Sequence, residues 1–390
     1  MAIHSRRHFG DSHNSAGGYV LLPPKSPKTP PKLPINKIFG GVVRNYKVIF
    51  VTLPSEMNGS DPKINTSPLL DIRRRFAPDL ERVQARIAEA LKTSNPILRQ
   101  VIDTFLQTKG KQLRPMMTII AALMFGQVNA AAISAAAAVE LLHSASLIHD
   151  DVVDNTDTRR RRPTINSLFD NRIAVLAGDF FVSNSLRIAA ETLNINITRE
   201  LGELGKQLSV GEFEQIYTAR QHCLDESLYF RTIYSKTASL FVACVRMGGY
   251  AVGAKEADID LISRYATLFG EAFQITDDVF DYFDSAKVGK PTTGHDLREG
   301  KITLPLIFAL RNAPDDTRSE LLDLLDSDSL DDTAIRRLID FAKDNGGIDY
   351  ARATVARLRS EADAILCQLP EGDSRKALAD LFDFIIDREN

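Results

Sequence analysis

Six aspartates fall in two copies of one pattern, Asp150-Asp151-Val152-Val153-Asp154 and Asp277-Asp278-Val279-Phe280-Asp281. Each copy sits in an otherwise apolar stretch, SASLIHDDVVD and EAFQITDDVFDY, so neither reads as the solvated face of a helix. On a helix, residues i and i+4 point the same way and i+1 lies about 100° round, so each copy offers a carboxylate pair and a third carboxylate beside it. Buried carboxylates repel one another and are costly to desolvate unless cations neutralise them. Neither copy contains a basic residue, which points to divalent metal, and an oxygen-only donor set favours Mg2+. The competing reading is two unrelated acidic helix turns.

Basic groups follow and precede the first copy. Asp157-Thr158-Arg159-Arg160-Arg161-Arg162-Pro163 puts a cationic run directly downstream. Alone it reads equally as a solvated loop; beside a metal cluster it suits an anionic substrate, because a guanidinium matches phosphate oxygens two at a time. Upstream, Gly110-Lys111-Gln112-Leu113-Arg114-Pro115 spaces Lys and Arg by one helical turn. His143 stands seven residues before Asp150, two turns along the same helix and nearly in line with it. A core histidine and a phosphate contact are both open for it.

These side chains must be positioned by helices. Beyond residue 80 proline and glycine thin out and alanine, leucine and charged helix formers dominate, so the fold is expected to be all-α. Pro78 and Asp79 open a helix whose apolar stripe is Leu80, Val83, Ile87 and Leu91. Similar patterns run over 116–125, 131–149, 172–191, 198–216, 236–252, 256–283, 303–311, 348–367 and 374–388. Residues 76–390 are expected to form one large helical domain. Residues 1–75 are expected to be a disordered or non-core leader, with six prolines in PPKSPKTPPKLP and KVIFVTL as a strand without a partner. Met57 is the favoured true start; a genuine basic leader would instead be an organelle transit peptide, so the expected location is cytoplasmic with that alternative. A net charge of −3 gives no reason to expect nucleic acid. No apolar run approaches the roughly 18 residues of a membrane span. Cys223, Cys244 and Cys367 form no CxxC pair and suit a reducing compartment.

Five segments in order, GKQLRP, ELLHSASLIHDDVVDNTDTRR, YSKTASLF, GEAFQITDDVFDYF and GKPTTGHDLREGKITLPL, resemble those of the trans-prenyltransferases, the polyprenyl diphosphate synthases. The resemblance covers residues 76–390. It implies an orthogonal or antiparallel helix bundle around a deep central cavity, an isoprenoid synthase type of fold, usually as a homodimer. It implies Mg2+-dependent head-to-tail elongation of an allylic prenyl diphosphate by isopentenyl diphosphate, with product release involving peripheral membrane contact. Carried over by position, Asp150, Asp154 and Asp277 are the principal metal ligands, and Asp151, Asp278 and Asp281 support them. Lys111, Arg114, His143 and Arg160 match positions that hold isopentenyl diphosphate. Arg159, Lys236, Thr237, Gln274 and Lys290 match those that hold the allylic diphosphate, with Lys301 a weaker match, and Lys236-Thr237 are expected to cap a buried helix.

In the family, bulky residues four or five positions before the first acidic motif stop chain growth. Here those positions hold Ser146 and Ala145, so a floor about 7 Å below Asp150 is missing and a long-chain product is expected, of the kind used for quinone side chains. Two departures stand out: Arg161 replaces the usual glycine after Arg159-Arg160, and GKPTTGHDL carries an extra residue, which bears on Lys290. The alternatives are a short-chain farnesyl or geranylgeranyl synthase and a non-catalytic partner subunit. A terpene cyclase fits less well, because its second metal site is not a full Asp-Asp-x-x-Asp.

Overall fold

The structure is a computed structural model that describes residues 68–106, 112–159, 162–283, 293–325 and 330–387. Lys111, Arg160, Arg161, Lys290, the proline-rich segment and KVIFVTL lie outside the described residues. The described residues all belong to one compact unit that begins at Ile64.

In chain order the first helices are α1 (Pro68–Arg75), α2 (Ala77–Ala90), α3 (Pro96–Leu106), α4 (Leu113–Phe125) and α5 (Ala130–Val153). A short antiparallel ladder, β1 (Thr158–Arg159) with β2 (Arg162–Pro163), separates these from α6 (Ile165–Leu168), α7 (Asn171–Ala190), α8 (Ile195–Arg220) and α9 (Glu226–Ile233). A π-helical turn, Tyr234–Ala238, joins α9 to α10 (Ser239–Ala251), and α11 (Glu256–Phe280) follows. The remainder is α12 (His295–Arg298), α13 (Leu304–Arg311), α14 (Asp315–Leu325), α15 (Asp332–Asp344), α16 (Gly347–Leu366) and α17 (Asp373–Ile386).

The core forms around α5, α10 and α11. α10 reads SLFVACVRMGGYA and is apolar nearly all round, so it can only be stable enclosed. It packs on α4, α5, α8 and α11. α5 starts where the Asn129 side chain accepts the Ala132 N–H, and its alanine-rich face lets α2, α4 and α7 approach closely. α11 carries a cluster of crossed rings, Phe269 edge-on to Phe241 at 4.9 Å and to Phe382 of α17 at 5.6 Å. Both long acidic-motif helices are thereby fixed along most of their length, which leaves their C-terminal ends to carry the aspartates.

Two expectations are corrected here. The core does not begin at residue 76: Leu69 and Ile72 of α1 are buried and Arg75 pairs with Asp380 of α17 at 2.9 Å. The preceding proline-rich sequence obscured this helix, which shows one apolar face. Lys236 and Thr237 do not cap a helix either; they lie inside the π-helical turn, with α9 and α10 continuing on both sides. By length and composition alone α5 and α7 would also span a membrane, but α5 is largely enclosed by protein.

Candidate active site

The first acidic motif closes α5. Asp150 and Asp151 lie in its last turn, and the Asp154 N–H donates to the Asp150 carbonyl at 2.8 Å. Asp151 is buried and accepts a 2.7 Å hydrogen bond from Nε of Arg159, which the β1–β2 ladder turns back over the helix end. Arg159 is thus engaged by a motif aspartate, and it enters the site through that carboxylate. Burial pushes Asp150 up to about 6, with Lys236 pulling it down and Glu212 and Asp154 pushing it further up. Burial likewise raises Asp154, against the pull of Lys301 and with Glu299 opposing that pull.

The second motif ends α11 in the same manner, and its Asp278 is held by neutral donors. Tyr229 Oη donates to Asp278 Oδ2 at 2.6 Å, and Gln274 Nε2 donates to Asp278 Oδ1 at 2.8 Å. Thr237 Oγ1 donates to Gln274 Oε1 at 2.6 Å. Asp281 is buried and accepts the Asp296 N–H at 2.9 Å, which fixes the turn that leads to α12. Asp277 is the half-buried member of the set.

A cavity of about 210 Å³ opens beside this end of α11. Its walls include Lys236, Thr237, Gln274, Asp278, Tyr229 and Lys301. The Lys236 ammonium donates to Glu212 Oε2 at 2.7 Å and Gln215 Oε1 at 2.9 Å, and Lys301 donates to Glu299. The charge of Lys236 acts on Asp150 and Asp154, and its side chain lines the cavity with Asp278. Two glycines hold it there. A Cβ on Gly211 of α8 would stand 2.9 Å from the Lys236 nitrogen, and one on Gly270 of α11 would stand 2.7 Å from the Ala238 Cβ. The π-helical turn is gripped between them, so the extra backbone residue that aims Lys236 and Thr237 has no room to relax.

The carboxylates suit a divalent cation shared with a phosphate ligand. Among the described residues no three His, Cys, Asp or Glu side chains close around one point. Mg2+ keeps several waters and needs only one or two carboxylates when phosphate oxygens supply the rest. Asp150, whose charge is disfavoured by burial, gains most from a cation.

Not every expected residue comes to this cavity. The Arg114 guanidinium lies over the Phe241 ring at 5.7 Å, and its charge acts on the buried Cys244. His143 is half-buried on α5, and its carbonyl accepts the Ser146 hydroxyl at 2.9 Å. Ala145 is fully buried. None of these four is among the cavity walls. Sequence reasoning missed Glu212, Gln215 and Tyr229, which touch site residues on other helical elements, and Glu299, which pairs with Lys301 two residues on. A local signal was the glycine in VGEFEQ, one of three in that helix.

Comparison with known proteins converges on one group. A polyprenyl synthetase family model matches residues 95–342. The octaprenyl diphosphate synthase of Haemophilus influenzae is 31% identical over 318 residues, 82% of this chain and 96% of that protein. A decaprenyl diphosphate synthase structure from Rhodobacter capsulatus superposes with a TM-score of 0.78 at 33% identity, covering 82% of this chain and 99% of that one. A Caulobacter crescentus polyprenyl synthase, solved with calcium and isoprenyl diphosphate, reaches a TM-score of 0.76 at 30% identity over 82% of this chain and 97% of its own.

Proposed function

Because this chain belongs to the polyprenyl synthetase family and is a prenyltransferase, we propose that it adds isopentenyl units to an allylic diphosphate until a long all-trans chain is made. The observation that carries this reading is the position of Lys236 in the cavity wall with Asp278, from which its charge also acts on Asp150. An anion seated there meets Asp278 of the second motif and two ammonium groups, which suits the diphosphate of the allylic substrate.

In this reading Asp150, Asp154 and Asp277 hold Mg2+, with Asp151, Asp278 and Asp281 behind them. Bound Mg2+ supplies positive charge to the leaving diphosphate. Lys236 and Lys301 bind the same oxygens, and Glu212 and Glu299 pair with the two ammonium groups and hold them in place. Arg159 keeps Asp151 in place, and Lys290 completes the diphosphate contacts. Lys111, Arg114, His143 and Arg160 take isopentenyl diphosphate. Thr237 and Gln274 line the cavity where the allylic carbon becomes cationic, and the bundle keeps out water that would quench it. No triad is required, because the departing diphosphate can accept the proton lost at the end of each addition.

Ala145 and Ser146 are small, so the product can run past them along α5, which favours a long chain of the quinone-side-chain kind. Two copies pair through α7, α8 and the turn between them, where Leu176, Leu193, Ile195, Phe213 and Tyr217 are exposed. The enzyme works in the cytoplasm and passes its product to a membrane surface. Incubation with Mg2+, isopentenyl diphosphate and farnesyl diphosphate, followed by sizing of the products, tests the reading. Elongation past geranylgeranyl supports it, products that stop at geranylgeranyl make it a short-chain synthase, and no elongation leaves a partner subunit.

A further inference from the structure

We propose that Glu212 and Glu299 are counter-charges to the diphosphate: each holds an ammonium group of the cavity while opposing the anion, so that spent diphosphate leaves after every addition. The proposal rests on the reading of that cavity as the allylic pocket.

Both ammonium groups in the cavity wall carry a carboxylate partner. Lys236 donates to Glu212 Oε2 at 2.7 Å, and Lys301 donates to Glu299. The four side chains are only 20–29% exposed, so water and salt screen their charges in part. Both glutamates also face the first acidic motif: the charge of Glu212 acts on Asp150 and Asp154, and that of Glu299 acts on Asp154. Two lysine–glutamate pairs, one joining α8 to the π-helical turn and one in the turn after α12, thus converge on the same aspartate.

The charge of Glu212 is not needed to hold Lys236. Gln215, a neutral amide, accepts from the same ammonium at 2.9 Å. An ammonium has three N–H donors, and these two acceptors take two, which leaves the third for a diphosphate oxygen. What the glutamate adds is a full negative charge behind the lysine, and it repels an anion seated there. A single charge within several ångström of a partly screened anion changes its affinity by roughly tenfold.

Chain elongation gives that repulsion a use. Each addition leaves inorganic diphosphate in the pocket, and the lengthened chain must bring its own diphosphate there before the next. An anion held by lysines without counter-charges would leave slowly. A negative charge that opposes the anion also favours a cation beside it, so removing the charge shifts the two affinities in opposite directions.

Glu212→Gln keeps an acceptor for Lys236 and removes the charge. Calorimetry with inorganic diphosphate at saturating Mg2+ is expected to show roughly threefold to tenfold tighter binding than in the native protein. The Mg2+ concentration that half-activates elongation is expected to rise. Glu299→Gln is expected to shift both constants the same way, and Glu212→Asp, which keeps the charge, is expected to show no such tightening. Weaker or unchanged diphosphate binding in both Gln variants would overturn the proposal, because the glutamates would then be supports for the lysines and nothing more. If inorganic diphosphate does not compete with farnesyl diphosphate on the native protein, the fault lies with the allylic reading. If it competes but the Gln variants bind it no more tightly, the fault lies with the counter-charges.

Discussion

Single side chains set the electrostatic character of the site, and Asp150 is the most exposed to test. Burial lifts it from 3.8 to about 6, so in the metal-free fold its charged form is disfavoured. A carboxylate with a raised folded pKa contributes stability in full below its unfolded value, and that contribution is lost as pH rises through about 6. The metal-free melting temperature is therefore expected to drop more steeply between pH 4 and 6.5, both rounded from that window, in the native protein than in Asp150→Asn. Saturating Mg2+ is expected to remove the difference by neutralising the ionised form. Identical pH slopes would show that Asp150 bears no such burden. The aspartates were legible in the sequence because carboxylates inside apolar runs violate a local rule. Glu212 and Tyr229 were not, because each looks ordinary on its own helix and acquires meaning only through a partner, Lys236 or Asp278, that is distant along the chain.

At the scale of elements, the site depends on a turn that breaks helical phase. Periodicity places 236–252 on one helix, yet the π-helical turn Tyr234–Ala238 inserts a residue and rotates Lys236 and Thr237 relative to α9. A pattern with a 3.6-residue period cannot reveal that insertion. What does reveal it in three dimensions is the pair of glycines that face it. Gly270→Ala is expected to destabilise the protein by about 2 kcal/mol, a typical overpacking penalty, read as a lowered denaturation midpoint. Gly211→Ala would press on the Lys236 backbone, and it is expected to raise KM for the allylic diphosphate severalfold with a smaller effect on stability. Wild-type kinetics in Gly211→Ala would show that the turn tolerates displacement. The long helices α5, α8 and α11 were readable within a few residues of their ends from their helical periodicity, with α5 and α11 burying broad apolar faces. α1 was missed because the sequence before it has no core-forming pattern, and only its contacts with α17 reveal its place.

For the molecule as a whole, composition gave the all-α class and little more; the placement of α5 and α11, both packed on α10, depends on contacts spread over the chain. Apolar side chains remaining on α7 and α8 argue for a second copy, and Phe213 is 75% exposed in the single chain. Sedimentation is expected to give a dimer, and Leu176→Glu with Phe213→Glu a monomer; a native monomer would remove the dimer from the account. The central claim is elongation to a long chain along α5. Its most direct measurement is product size from the native protein and Ala145→Phe, each supplied with Mg2+, farnesyl diphosphate and isopentenyl diphosphate. The account predicts native products longer than geranylgeranyl and shorter products from Ala145→Phe at similar turnover. Native products that end at geranylgeranyl, or no elongation at all, would contradict it.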